Sequence, residues 1–351
     1  MKRLAFFSLV VALLLTAACQ SSGDKNTAAD FSEPELLALS DSIAIDEILQ
    51  PENWAVSQGK AVVFSRRTDS LFFVYRLPEF KYLYSFGRKG EGPDEFNYPY
   101  LRDGYLASDS FSVEDLSKKA RIRYDLGDTS ARKTETVPYH DYNILFPIND
   151  SILVQAATDM SSDHIKPYYR TIRPGGEAID SIIPLVYTRS FRVEHFPNGG
   201  IGIRGRYFND AKYLYKDHRW VILYADMRRM DIYEISAQGK ITLVRSLGDA
   251  STYEQINAMD LENSPSGEAV YRVQGTPRHI YALTGDYVTK EKSRDIVRSY
   301  VEVYDWEGRP IKKFDLGGAF THFLVDEAHE KIFCFHSGND FECVFAYNYS
   351  L

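Results

Sequence analysis

The sequence predicts an all-β fold, because its periodicity, its turn residues and its composition all agree with that class. From residue 50 onward, short segments rich in Val, Ile, Tyr and Phe alternate apolar with polar residues and are separated by Gly, Pro, Asp and Asn. Such alternation is typical of half-buried strands, and a helical period is scarcely visible. The chain has 351 residues, of which 44% are hydrophobic and 26% charged, so it can bury a large core.

One unit recurs along the chain, and it consists of an alternating strand that ends near a tyrosine, a turn and a second strand. Two further strand-like stretches precede each copy, so the repeat is a four-stranded antiparallel meander. Radial repetition of such meanders predicts a β-propeller. Five whole copies and a truncated sixth copy occur at 71–87, 120–137, 168–185, 230–248, 300–317 and 341–351.

The truncated copy predicts how the ring closes. It reaches the C-terminus with only its first strand, which would leave an unpaired edge. An unused extended segment lies at 41–46, and we expect it to supply the missing strand, which gives six blades within a single domain at 41–351. The widest intervals between the equivalent tyrosines predict insertions in blades four and five. These tyrosines are Tyr75, Tyr124, Tyr169, Tyr233, Tyr304 and Tyr347.

The N-terminus has the pattern of an export signal. Lys2 and Arg3 precede an almost unbroken apolar run, which is too short to span a membrane and is followed by small residues and Cys19. This pattern resembles a bacterial lipobox, although Thr16 stands where that motif usually has Leu. The resemblance implies a signal peptide at 1–18, lipidation of Cys19 and a flexible tether at 19–40.

A glycine-rich segment at 87–96, Gly-Arg-Lys-Gly-Glu-Gly-Pro-Asp-Glu-Phe, follows a predicted outer strand. It lacks the strand, glycine and helix order of a phosphate-binding loop, so glycines with positive φ at a turn between blades are the favoured interpretation. The segment is similar to the blade-end motif of the NHL and six-bladed propeller families. Together with the lipobox, the chain resembles the TolB-like and NHL-like six-bladed propeller lipoproteins that are common in Bacteroidetes.

Cys334 and Cys343 flank Ser-Gly-Asn-Asp, a sequence that suits a two-residue hairpin turn. Counting outward from that turn places the two cysteines opposite each other at a non-hydrogen-bonded pair, where Cα atoms lie about 4.5 Å apart. An exported protein also meets an oxidising compartment. A cross-strand disulfide and a pair of buried thiols are therefore the two alternatives, and we predict the disulfide.

The sequence has no local metal motif and no recognisable catalytic residue or cofactor site. In a propeller, however, the connections from outer to inner strands surround the mouth of the central channel. Aromatic, Arg and His side chains on these connections would suit a polar or anionic ligand such as a sugar or peptide, and packing at the surface or between blades is the alternative. The candidates are Tyr98, Arg102, His140, Arg189, Tyr253 and His322, with Tyr139, Tyr187 and Phe320 beside them.

The net charge of -8 argues against a nucleic-acid surface. The leading interpretation is a non-enzymatic, lipid-anchored binding or scaffold module of the bacterial cell envelope, at the outer membrane, with a protein, peptide or glycan partner. The alternative is an envelope hydrolase or lyase with a metal-dependent site in the channel, because NHL-like propellers include such enzymes. We expect a monomer that is attached to the membrane through its N-terminal lipid.

Overall fold

The computed structural model of the protein describes residues 31–48, 50–101, 111–138, 144–159, 166–184, 187–195, 201–208, 211–224, 229–252, 254–255, 269–290, 293–336 and 342–351. These residues form the predicted six-bladed propeller of antiparallel sheets. The signal peptide and Cys19 lie outside the described residues. Within the described part, no helix has the length and hydropathy that crossing a bilayer requires.

The first half of the chain forms two N-terminal strands and blades 1 to 3. The N-terminal strands are β1 (Glu35–Leu36) and β2 (Leu39–Ala44). Blade 1 comprises β3 (Asn53–Ser57), β4 (Lys60–Phe64), β5 (Ser70–Arg76), β6 (Lys81–Lys89) and the short β7 (Glu95–Phe96). Blade 2 comprises β8 (Pro99–Tyr100), β9 (Phe111–Asp115), β10 (Ala120–Leu126) and β11 (Ala131–Pro138). Blade 3 comprises β12 (Ile144–Asn149), β13 (Ile152–Asp159), β14 (Lys166–Ile172) and β15 (Ala178–Ile182).

The second half forms a separate hairpin and blades 4 to 6. The hairpin pairs β16 (Tyr187–His195) with β17 (Ile201–Phe208). Blade 4 comprises β18 (Ala211–Lys216), β19 (Arg219–Tyr224), β20 (Arg229–Ile235) and β21 (Ile241–Gly248). Blade 5 comprises β22 (Ala269–Gly275), β23 (His279–Lys290), β24 (Ser293–Asp305) and β25 (Pro310–Asp315). Blade 6 comprises β26 (His322–Asp326), β27 (Lys331–Phe335) and β28 (Cys343–Asn348), with a 3₁₀ turn at Glu327–His329.

The N-terminal strand closes the ring as predicted. β2 is the outer strand of blade 6 and pairs antiparallel with β28, with Ile43 opposite Val344. The folded part starts earlier than the predicted boundary at residue 41, since β1 pairs in parallel with β25 and Leu37 is buried. The predicted tether at 19–40 is therefore too long. Leu37 explains the difference, because it is buried in the apolar cluster between blades 5 and 6.

The six repeated tyrosines lie on the third strand from the channel in every blade, and all are buried. Five of them pack towards the preceding blade, whereas Tyr169 packs towards the following one. Each belongs to an apolar cluster formed between two neighbouring blades. The long intervals before Tyr233 and Tyr304 correspond to two features of the fold. The β16–β17 hairpin is inserted before blade 4, and blade 5 has unusually long strands β23 and β24 of 12 and 13 residues.

The glycine-rich segment has a structural role in the connection from blade 1 to blade 2. Gly87 has a φ of +74°, and a Cβ there would lie 2.8 Å from the buried Phe72 ring. Gly90 and Gly92 have no positive φ; a Cβ at Gly90 would collide with the Glu95 carboxylate, which accepts a hydrogen bond of 2.9 Å from Gly92 N. The positive-φ prediction therefore holds for Gly87, whereas Gly90 and Gly92 make room for Glu95.

The predicted hairpin register at the cysteines is wrong by two residues. Cys334 lies opposite Phe345 and Cys343 lies opposite Ala44, and both cysteines are free thiols. The pairing of β27 with β28 ends at Cys334 and Phe345, so the connection is longer than the two-residue turn that the prediction assumed. Burial raises the pKa of the Cys334 thiol well above its usual value. Cys334 is thus an unreactive core residue in this structure.

Candidate functional site

The antiparallel blades give the ring two distinct ends. We call the end with the connections from outer to inner strands, including 45–52, 90–98 and 316–321, the upper face. The opposite end carries the turns that leave the inner strands, at 58–59, 217–218, 276–278 and 327–330, and we call it the lower face. Side chains that are distant in sequence meet at each of these two ends.

A basic pocket lies on the upper face of blade 1. Its cavity of about 410 Å³ is lined by Gln50, Glu52, Arg66, Arg67 and Lys89. The residues come from the connection into β3, from the turn between β4 and β5, and from the end of β6. The lining side chains thus carry three positive formal charges and one negative charge, in a protein with a net charge of -8.

Arg66 is the best-fixed cation of this upper pocket. Its Nη1 lies 3.3 Å from a Glu52 carboxylate oxygen, and its Nη2 donates a 3.1 Å hydrogen bond to the carbonyl of Pro99 in blade 2. Its guanidinium carbon lies 5.2 Å from the ring centre of Phe64 and 5.3 Å from that of Tyr98. Cation–π contacts and an ion pair therefore hold one positive charge in place.

The other two cations of the upper pocket are available to a ligand. Arg67 and Lys89 are exposed, and within the described residues their side chains form no hydrogen bond or ion pair. Tyr98 is 54% exposed and offers a ring face next to Arg66. This arrangement can hold an anionic group by electrostatic attraction and can stack an apolar surface against Tyr98.

The predicted ligand residues are only partly brought together. Tyr98 does not line the upper pocket but contacts Arg66, which does. His322 is only 4% exposed and stacks on Phe335 at 4.6 Å between ring centres. The His322 Nε2 lies 2.8 Å from Arg272 Nη2 and 3.0 Å from the Glu52 carbonyl, so this residue connects the inner strands of three blades. A ligand contact of His322 stays a prediction.

The remaining candidates are not described to the level of their side chains. Arg189 lies on β16 opposite Arg206, and its side chain is outside the described part. Arg102, Tyr139, His140 and Tyr253 lie outside the described residues altogether. Their predicted roles stay predictions.

Arg66 and Arg67 were not predicted, because only the connections between blades were considered. Lys89 lies in the glycine-rich segment 87–96, for which only a structural role was predicted. The turn between the second and third strands of a blade lies on the same upper face, and the Arg66-Arg67 pair directly after the apolar strand 60–64 was the available signal. Within the described ranges, no three His, Cys, Asp or Glu side chains are grouped so that they could hold a metal ion. The metal-dependent hydrolase or lyase stays an untested alternative.

A second cavity, of about 470 Å³, lies on the lower face, where blades 1, 5 and 6 meet. Several hydrogen bonds hold its lining residue Glu327. The Glu327 Oε1 accepts hydrogen bonds of 2.6 Å from His279 Nδ1 and 3.0 Å from Tyr281 Oη. Burial acts to raise the pKa of Glu327, but bonds from His279, Tyr281, Thr276 and Arg278 outweigh it and lower the pKa. The cavities on the two faces therefore differ in the charge of their lining residues and in how far those residues are held by hydrogen bonds.

The fold has relatives among known proteins. A member of the DUF4221 family from Bacteroides vulgatus is 11% identical, with a TM-score of 0.52 over 92% of this chain and 98% of that one. An exported protein from Bacteroides fragilis is 12% identical, with a TM-score of 0.47 over 92% and 95% of the two chains. No curated protein sequence matches the chain. At 11% identity, the likeness to the first of these structures indicates the fold alone.

The family is shown by a sequence model rather than by these structures. The model described as "TolB-like 6-blade propeller-like" matches residues 47–328, which cover most of the ring. The match includes the glycine-rich segment and the third strands of blades 1 to 5. The chain belongs to the TolB-like six-bladed propeller family.

Proposed function

We propose that the protein is a lipid-anchored binding module of the bacterial cell envelope, and that its upper pocket holds an anionic glycan. The observation that carries this proposal is the convergence of Arg66, Arg67 and Lys89 on one open cavity in an otherwise acidic protein. A local positive potential attracts anions and increases their association rate. The exposed ring of Tyr98 adds a flat apolar surface of the kind on which sugar rings pack.

The fixed Arg66 and the free Arg67 and Lys89 have different parts in this proposal. Arg66 already has its charge balanced by Glu52, so it serves mainly to orient Tyr98 and the pocket wall. Arg67 and Lys89 provide the charge that a carboxylate, sulfate or phosphate group on the glycan would meet. Binding should therefore weaken steeply as salt screens the attraction.

The proposed anchor agrees with the direction in which the upper pocket points. The ring of the first described residue, Phe31, packs edge-on against Tyr304 at 5.1 Å, two residues before the lower-face turn of blade 5. The described chain therefore starts at the lower face, and residues 19–30 would span at most about 40 Å if fully extended. Attachment through this end would leave the upper pocket accessible on the opposite face.

The proposed pocket is tested by glycan binding with matched variants. Full-length protein, purified in detergent, is applied to an array of neutral, carboxylated and sulfated glycans, together with acidic peptides. We expect binding to acidic glycans that falls about tenfold or more in Arg67→Ala and Lys89→Ala, in line with the loss of a charge-assisted contact. Lys240→Ala, which removes an exposed cation from the lower face, is the control with the same change in net charge.

Three results would count against the proposal. These are binding that prefers neutral glycans, selection of acidic peptides instead of glycans, and equal losses in Lys240→Ala and Arg67→Ala. The anchor is tested separately by Cys19→Ala, which should move the protein from the membrane fraction to the soluble fraction. A Cys19→Ala protein that stays membrane-bound would remove the anchor from the proposal but not the pocket.

A further inference from the structure

The lower cavity differs from the upper pocket in charge and in construction. It is lined by inner strands and turns of blades 1, 5 and 6, and its walls combine polar groups with Val56, Pro277, Val325 and Ala328. Only Arg278 among its lining residues is a cation, whereas Asp326 and Glu327 are acids. Its volume of about 470 Å³ lies within the range of small-molecule sites.

The acidic side chains of the lower cavity already accept hydrogen bonds from other residues of the protein. Both oxygens of Glu327 accept hydrogen bonds, Oε1 from His279 and Tyr281 and Oε2 from Arg278 Nε at 3.2 Å. The Glu327 side chain is only 10% exposed. Asp326 Oδ2 lies 2.7 Å from His329 Nδ1. A ligand entering the cavity therefore meets carboxylates whose hydrogen-bonding capacity is largely used by the protein.

Arg278, in contrast, is held in one orientation but does not use all of its hydrogen-bond donors within the described residues. Its Nε is bonded to Glu327, its side chain is 66% exposed, and within the described residues its two terminal nitrogens make no hydrogen bond. Holding Nε in place leaves the edge with the two terminal nitrogens free. That edge matches the two oxygens of a carboxylate in a bidentate pair.

The turn that carries Arg278 is rigidly held. Lys216 Nζ donates to the Pro277 carbonyl at 2.7 Å, and Trp306 Nε1 donates to the Thr276 carbonyl at 3.1 Å. On the other side of the cavity, the Gln274 amide makes two hydrogen bonds of 2.8 Å with the backbone of Val325. Preorganisation of this kind lowers the entropic cost of binding.

From this geometry we propose that the lower cavity binds the carboxylate of a small, partly aliphatic monocarboxylic acid, with Arg278 as its anchor. The apolar walls accept the aliphatic part, and the acids disfavour ligands with several negative charges. The carboxylate comes from a free organic acid or from the C-terminus of a short peptide. The site is independent of the anionic glycan pocket, because the two lie on opposite faces of the ring.

The test is calorimetric titration of the full-length protein with acetyl-Ala-Val, with its C-terminal amide and with isovalerate. We expect the free acids to bind and the amide to bind about tenfold more weakly or not at all. Arg278→Ala should lower the affinity by about tenfold to a hundredfold, and Arg278→Lys should lower the affinity by less. Arg67→Ala should have no effect, since it belongs to the other face.

Arg309→Ala is the matched control, because Arg309 is also 66% exposed, is also paired with an acid, Asp305, and also lies on the lower face, but it does not line the cavity. Preference for isovalerate would assign the site to free acids, and preference for acetyl-Ala-Val would assign it to peptide ends. Equal affinity for acid and amide, equal losses in the Arg278 and Arg309 variants, or no saturable binding up to about 10 mM would overturn the proposal.

Discussion

Blade 2 has an apolar face towards blade 1 and a polar face towards blade 3. On the first face, Ile122, Tyr124 and Leu126 of β10 join a cluster that contains the fully buried Phe72. On the second face, the intervening Arg121 and Arg123 pair with Glu114 and Glu135 at 2.8 Å and 2.6 Å. The same strand therefore has an apolar face and a face of ion pairs that form within blade 2.

Blade 3 continues the polar character of this second interface. Its Val154 and Tyr169 pack towards blade 4, so the alternating Gln155 and Arg170 lie on the face towards blade 2. Arg170 Nε donates to Gln155 Oε1 at 2.6 Å, and Gln155 is 1% exposed. Among the described residues, the other five interfaces between blades each contain an apolar cluster. The comparison indicates that five interfaces contain a described apolar cluster, whereas the facing surfaces of blades 2 and 3 carry polar pairs that form within each blade.

The largest effect is expected from the apolar interface. Phe72 has ring contacts with Phe64, Phe86, Phe96 and Phe111 at centroid distances of 5.2 to 5.9 Å. Phe72→Ala should lower the free energy of unfolding by about 3–5 kcal/mol, measured by urea denaturation. The exposed Val297→Ala should change it by less than about 0.5 kcal/mol. A loss near that of the control would show that this cluster does not dominate blade stability.

The second effect concerns the buried pair of the polar interface, where the side chains of Arg121 and Glu114 are 12% and 2% exposed. Arg121→Met should lower the free energy of unfolding by about 3 kcal/mol, because it leaves a carboxylate buried without this partner. Adding Glu114→Leu should restore most of that loss, since the pair contributes little net stability once both charges are absent. A double variant as unstable as the single one in urea denaturation would contradict this view of the interface.

A third prediction concerns Asp115, which lies at the end of β9 in blade 2. It accepts backbone hydrogen bonds from the junction between blades 1 and 2, at Asn97 and Tyr98. Burial acts to raise the pKa of this carboxyl, but hydrogen bonds from Ser117 and from the backbone of Asn97, Lys118 and Tyr98 outweigh burial and lower the pKa. The unfolded state then binds more protons, so this contribution is present above about pH 4 and is lost as the pH falls through the folded pKa. Asp115→Asn should cost about 1–3 kcal/mol at neutral pH.

The Asp115→Asn variant should also lose less stability than the wild type when acidified below about pH 4, as measured by urea denaturation across a pH series. The exposed Asp69→Asn is the control. Parallel pH profiles for the wild type and Asp115→Asn would be inconsistent with a stabilising charge at this junction.

The smallest effect is expected at the exposed part of the polar interface. Arg123 and Glu135 lie on the same face as Arg121, but their side chains are 42% and 48% exposed. Arg123→Ala should change the free energy of unfolding by at most about 1 kcal/mol, and by less at high salt, because water and ions screen the pair. A salt-independent loss comparable to that of Arg121→Met would indicate that burial is not what separates the two pairs.

The fold was predictable because the repeat is local. Alternation in segments such as 120–126 and the recurring tyrosines reflect one blade at a time, so they remain visible without knowledge of the ring. The closing strand was predictable from the incomplete last copy. The register at Cys334 was not, because it depends on the length of a connection whose turn type the sequence suggested wrongly. Of the predicted ligand residues, Tyr98 alone is shown next to a lining residue of the upper pocket, Arg66. Arg66 and Arg67 lie on a turn within blade 1, and Lys89 lies at the end of β6.

The sequence by itself determined the blade repeat, its count and the strand that closes it, since these follow from periodicity and from the need to pair every edge. Only the tertiary structure decided which polar groups meet. Arg278 and Glu327 belong to adjacent blades, and the main-chain carbonyl of Glu52 reaches His322 only after the first and last blades join. Ring closure brings these residues within hydrogen-bond distance across large separations in the chain, and no local pattern encodes such proximity.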